Sequence, residues 1–124
     1  MASGYAAAPR LFARSAVGDC RTALELFSQV SDRFGEAATH DSLGQAHHRL
    51  GQHDEATTAF AHSLKLLRHL GDRYYEAVTT IHLGDAHRDA GQAAPAREAW
   101  QRALSILEEL RHPDADDVRA RLDT

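Results

Sequence analysis

Apolar residues recur at helical spacing through most of the chain, and the pattern returns after a fixed interval. Leu43 to Gly71 reads LGQAHHRLGQHDEATTAFAHSLKLLRHLG, and Leu83 to Arg111 reads LGDAHRDAGQAAPAREAWQRALSILEELR. The two stretches align without a gap at a period of 40. Leu43-Gly44 falls on Leu83-Gly84, Ala56 on Ala96, and Phe60 on Trp100, while Leu64, Leu67 and Leu70 fall on Leu104, Leu107 and Leu110. Apolar positions three and four apart mark one face of an amphipathic helix. Gly51 and Gly91 mark helix ends, where glycine accepts the left-handed conformation. The pattern therefore predicts helices over 33–50, 53–70, 73–90 and 93–110, taken in hairpin pairs.

The paired positions have physical roles. Gly44, Gly84, Ala56 and Ala96 are small where two helices are expected to cross closely, and Phe60 and Trp100 are expected to fill the space between repeats. Asp32 and Asp72 are N-cap candidates, each followed by an aromatic at the same offset, Phe34 and Tyr74, read as wedges between hairpins. Asp54 and Pro95 suit first turns.

The two ends are weaker copies. Residues 1–8 are expected to be a disordered or appended tail. Residues 9–32 read as a degenerate repeat: a short helix with Leu11, Phe12, Ala13, Ala16 and Val17 apolar, a break at Gly18-Asp19, then a helix with Ala23, Leu24, Leu26, Phe27 and Val30 inward. Residues 33–72 and 73–112 are the full repeats. His112-Pro113-Asp114 breaks the pattern, Asp114 can cap a new helix, and 113–122 reads as a capping helix with Val118 and Leu122 inward.

Self-similarity at such a period marks a repeat architecture. Leu43-Gly44-x2-His47 with Ala56-x3-Phe60, and Leu83-Gly84-x2-His87 with Ala96-x3-Trp100, resemble the tetratricopeptide repeat, in which a tyrosine stands where the histidines are here. The resemblance implies an all-α, right-handed helical solenoid of about three hairpins plus a C-terminal cap, forming a single domain over 9–122. The longer phrases are similar to the C-terminal repeat region of actinobacterial transcriptional regulators of the antibiotic regulatory protein family. That resemblance implies a regulatory or sensory module that contacts proteins, without the DNA-binding and nucleotide-switch domains of those regulators.

Charge and candidate chemistry narrow the functions. The net charge is −4, so there is no basic footprint for direct nucleic-acid binding. No apolar run approaches the roughly 20 residues of a membrane helix, and MASGYAAAPR lacks the marks of a signal peptide. A lone Cys20 suits a reducing, cytoplasmic setting. No nucleophile sits beside a base and no phosphate loop is present, so an enzyme is not expected and no cofactor is implied. None of the nine histidines falls in HExxH or zinc-finger spacing, and no metal site is expected. A sensor of metal or a small molecule using His40, His47, His82 and His87 is kept as an alternative.

The first helix of each repeat should line a concave groove. Repeat register puts Asp41, Ser42, Gln45, His48 and Arg49 there from one repeat, and Ile81, His82, Asp85, Arg88 and Asp89 from the next. These side chains suit a protein or peptide partner held by hydrogen bonds and charge. The clamp of Lys, Arg and Asn with which some members of the repeat family bind C-terminal carboxylates is not expected, because the chain has no Asn and its one Lys, Lys65, lies on a second helix. A second alternative is homo-oligomerisation, as a homodimer, through an apolar stripe on Leu11, Phe12 and Val17.

Overall fold

A computed structural model describes the backbone of residues 2–123 and the side chains of residues 10–123. The described residues form helices and turns only. Six helices follow one another: α1 (Ala2–Gln29), α2 (Arg33–Arg49), α3 (His53–Leu70), α4 (Arg73–Asp89), α5 (Ala93–Glu109) and α6 (Ala115–Leu122). Each packs mainly on its sequence neighbours, as expected of a helical solenoid. The expected boundaries of α2 to α5 agree to within about a residue, the usual uncertainty of helix ends.

Local chemistry explains the boundaries. Asp32 Oδ1 accepts from the Gly35 N–H at 2.8 Å, and Asp72 Oδ1 from the Tyr75 N–H at 3.1 Å. Each satisfies an otherwise unpartnered donor of a first turn. Asp114 does not cap α6 through its side chain. Its own backbone is already helical there, and its Oδ2 accepts instead from the Tyr74 hydroxyl at 2.9 Å. Tyr74 is thereby wedged under α6, with its ring centroid 4.6 Å from that of His112. Phe34, its counterpart, stays 43% exposed, with its ring edge-to-face against Tyr75 at 5.3 Å, so it does not act as a buried wedge.

The N-terminal expectation is corrected. There is no break at Gly18-Asp19 and no separate tail over residues 2–8: α1 is one helix of 28 residues. A helical Gly costs only about 1 kcal/mol relative to Ala, and the Gly18 carbonyl accepts from the Thr22 hydroxyl at 3.3 Å. Ala13, buried, and Ala16, Cys20, Ala23, Leu24 and Phe27, half-buried, run down one side of α1. Their stripe packs on α2 and holds the helix straight through the glycine. Phe27 lies across Gly35, where a Cβ would come 2.6 Å from its ring. In the repeat register the Ala23–Phe27 part of α1 therefore stands where a second helix stands.

Aromatic side chains fit into glycine notches inside each full repeat. Phe60 is fully buried, and a Cβ on Gly44 would lie 2.6 Å from its ring. Trp100 fills the same place against Gly84. Ala56 and Ala96, both buried, let the helices approach there. Leu83 and Ala86 of the next repeat close over Phe60, so each aromatic serves both its own hairpin and the following one.

The turn after α3 uses Gly71 at φ 72°, in the left-handed region. Its repeat equivalents are Ser31 at φ 56° and Arg111 at φ 53°. A side chain there costs about 1–2 kcal/mol, partly offset by the greater freedom of glycine in the unfolded chain. Ser31→Gly and Arg111→Gly are each expected to raise stability by about 0.5–1 kcal/mol. Urea midpoints at unchanged m-value check this, and a fall in midpoint would show that the left-handed turns carry no strain.

Candidate functional site

The first helices α2 and α4 touch directly, and their facing side chains join across the repeat boundary. His82 Nδ1–H donates to both oxygens of Asp41, at 2.9 and 3.1 Å. His48 Nε2–H donates to Asp89 Oδ2 at 2.7 Å. Arg88 Nε–H donates to Asp89 Oδ1 at 3.0 Å, and this bond, with a smaller contribution from His48, holds the Asp89 carboxyl below the usual carboxylate range. The result is a row of paired acids and bases running along one face. Exposed pairs of this kind stabilise by at most about 1 kcal/mol each, so the row matters more for what it presents than for what it holds together.

Asp85 is the most heavily used of these groups. Its Oδ1 accepts from the Trp100 indole N–H at 3.1 Å and from Arg121 Nε at 2.9 Å. Its Oδ2 accepts from Arg121 Nη2 at 3.1 Å. Arg88 approaches Oδ1 at 3.7 Å, and its guanidinium lies 5.8 Å from the Trp100 ring centroid. Asp85 thus ties the α4–α5 hairpin to α6, and both oxygens are engaged inside the molecule. Ser42, Gln45 and Arg49 make no side-chain hydrogen bond or ion pair with the described residues and remain open on the same face.

Arg121 joins the row although it is not among the groove residues expected from the sequence. Its place is marked in the numbering all the same: Arg121 lies 40 residues after Ile81 and 80 after Asp41. Arg49, Arg88 and Arg121 balance Asp41, Asp85 and Asp89, so the face carries both signs with neither in excess.

The histidines considered as sensor ligands go separate ways. His47 Nδ1–H donates to Gln52 Oε1 at 2.6 Å and His87 Nδ1–H to Gln92 Oε1 at 3.1 Å. Each bond clamps a turn at its glycine, which explains why histidine can stand there. His82 is held by Asp41. His40 lies on the other side of α2, its ring 5.0 Å from that of His62. Among the described residues no three His, Cys, Asp or Glu side chains come together as a metal site would need. The geometry does not gather the four histidines.

Two overlapping segments, residues 14–69 and 35–109, match the tetratricopeptide-repeat family model. The chain belongs to the tetratricopeptide-repeat family. No curated protein and no solved structure matches it significantly. Tetratricopeptide repeats generally mediate protein–protein contacts, and the aromatic-on-glycine packing and the shared face of α2 and α4 are how this chain builds such a scaffold. No helix among the described residues is long and apolar enough to cross a membrane.

His40 is expected to make the stability of the tetratricopeptide domain depend on pH. Burial, helped by neighbouring His62 and opposed by Glu36, holds its pKa below the ordinary 6.5. Its Nδ1 is buried without a partner. Burial likewise lowers His87. With the folded pKa below the unfolded one, the unfolded chain takes up protons first as pH falls. Stability is therefore expected to drop as the solution is acidified below about pH 6.5. Thermal midpoints along a pH series check this. His40→Thr, which copies the hydroxyl found at Thr80, is expected to flatten the decline; an unchanged slope would show that His40 does not contribute to it.

Proposed function

We propose that this chain is a protein-interaction module whose α2–α4 face forms a concave groove for a peptide or partner helix. Ser42, Gln45, His48, Arg49, His82, Arg88 and Asp89 are the contact residues, Asp41 orients His82, and Asp85 braces the groove rather than reaching the partner. The observation that carries the reading is the row of balanced acids and bases with Ser42, Gln45 and Arg49 left open among them. A polar partner can exchange into such pairs at little cost, because the exposed ones contribute so little to folding.

The resemblance of the longer phrases to regulator C-termini supports a regulatory or sensory role in a bacterial transcriptional regulator, acting in the cytoplasm. In that role the groove binds and releases a protein segment without covalent chemistry. The test is a binding titration with peptides selected on the protein from a random display library. Arg49→Glu and Arg88→Glu should each weaken binding about tenfold, the worth of roughly 1.4 kcal/mol. Binding that survives both substitutions would remove the groove from the account.

A further inference from the structure

The two ends of the solenoid are finished differently. At the C-terminus, α6 turns Ala115 and Val118 inward and leaves Asp116, Asp117, Arg119 and Ala120 outside. That is a polar seal, tied down by Arg119 to Glu108 at 3.0 Å and by Arg97 Nη1 to the Leu122 carbonyl at 2.9 Å. At the N-terminus, α1 packs mainly on α2. Its other face carries Leu11, Phe12, Leu26 and Val30, which are 62%, 75%, 58% and 72% exposed. Exposed apolar groups of this size gathered on one helix face mark an interaction surface. Val17 is not part of it: it is half-buried, on the side of Ala13 and Leu24.

We infer that this face of α1 pairs antiparallel with the same face of a second copy of the chain. The outward surface of α6, with Asp116, Asp117 and Arg119, offers no apolar match for this face. Set against its own copy, the face gives the isologous arrangement of a two-fold dimer.

The pattern along α1 is also self-complementary. Leu11, Ser15, Gly18, Thr22 and Leu26 advance by four, three, four and four residues, so they form one seam of the helix. Leu11 and Leu26 stand equally far from a point between Gly18 and Asp19. An antiparallel partner crossing there sets each Leu11 against the other copy's Leu26. The small residues Ser15, Gly18 and Thr22 let the backbones close between them. A Cβ on Gly18 would meet nothing within 4 Å in the single chain, so the space is open to the second helix. Phe12 and Val30 flank the same seam at its two ends. Arg14 and Glu25, both exposed on its opposite flank, come near each other's counterpart across the two-fold, and the opposed helix dipoles favour the orientation. From residue 11 to residue 30 the contact is about 28 Å long. That is short for an interface, so the dimer should dissociate on dilution.

The test is light scattering after size exclusion across a concentration series. The expected result is a mass near twice the 13.6 kDa of the chain at high concentration, falling to the single-chain mass on dilution. Phe12→Glu and Leu26→Glu, at exposed positions, should each raise the dissociation constant at least tenfold while leaving the circular dichroism spectrum unchanged. Arg49→Glu, on the groove face, should leave the dimer unchanged. The failure of this inference is thus separate from that of the groove reading. Orientation is read in a Cys20→Ser background by mixing Leu11→Cys and Leu26→Cys chains. The mixed disulfide should form faster than either like-with-like disulfide. A monomer at every concentration, a dimer indifferent to Phe12→Glu and Leu26→Glu, or like-with-like disulfides dominating would each overturn the proposal.

Discussion

Trp100→Ala is expected to destabilise the protein by about 3–5 kcal/mol, the range for removing a large buried aromatic. The value should fall in the upper part of that range for two reasons. The indole fills the notch at Gly84 and packs in the same cluster as Ala77, Ala96, Ile106 and Leu107. Its N–H is also the partner of Asp85, which holds Arg121 of the cap. Loss of the indole therefore weakens the cap as well as the hairpin. Phe60→Ala should cost a similar amount without the second effect, because the Phe60 ring makes no hydrogen bond to α6. Chemical denaturation checks both. Hydrogen exchange then separates them: amides of α6 should lose protection in Trp100→Ala and keep it in Phe60→Ala. Equal protection of α6 in both variants would show that Asp85 does not couple the indole to the cap.

Gly44→Ala should destabilise by about 1–3 kcal/mol, the range for overpacking. On helix propensity alone the same change would stabilise by about 1 kcal/mol. The sign is decided by contact: the new methyl group would lie 2.6 Å from the Phe60 ring, and that ring is enclosed on every side. Because the clash is with one side chain, it should be relieved by shrinking that side chain. Phe60→Leu in the Gly44→Ala background is expected to cost less than Phe60→Leu in the wild type. A double-mutant cycle reads the coupling directly. Additive effects, or a stabilising Gly44→Ala, would mean that the helices can separate there at no cost.

The repeat is legible in the sequence because its signature residues are chosen by close contact. Gly44 and Gly84 must be small only if Phe60 and Trp100 lie across them, so the spacing of these pairs alone implies two helices crossing. The Asp32 and Asp72 caps are legible for a similar reason, since an N-terminal turn has few ways to satisfy its donors. The continuity of α1 is not legible, because Gly18-Asp19 has the composition of a turn. The one local support there, the Thr22 hydroxyl on the Gly18 carbonyl, is long and exposed, and what holds the helix is the stripe from Ala13 to Phe27 lying on α2, a contact that only the assembled fold supplies. The role of Asp114 is hidden likewise, since the pull of Tyr74 from 40 residues away outweighs a local cap.

For the site, repeat register finds the face but not the pairings on it. Whether His82 reaches Asp41 rather than Ser42 or Gln45 depends on the angle between successive hairpins, which the spacing of residues does not encode. For the same reason Asp85 reads as an open ligand when it is a brace. Arg121 is easily passed over because a short terminal helix reads as a cap, although it continues the row of first helices.

The most direct test of the groove is a nitrogen-15 NMR titration with a library-selected peptide. The account predicts chemical-shift changes concentrated at Ser42, Gln45, His48, Arg49, His82 and Arg88. The amides of Arg102, Ser105 and Glu109, on the second helix α5, should stay still. Shifts concentrated on those α5 residues, with Ser42 to Arg49 unmoved, would place the partner on the opposite face and contradict the account.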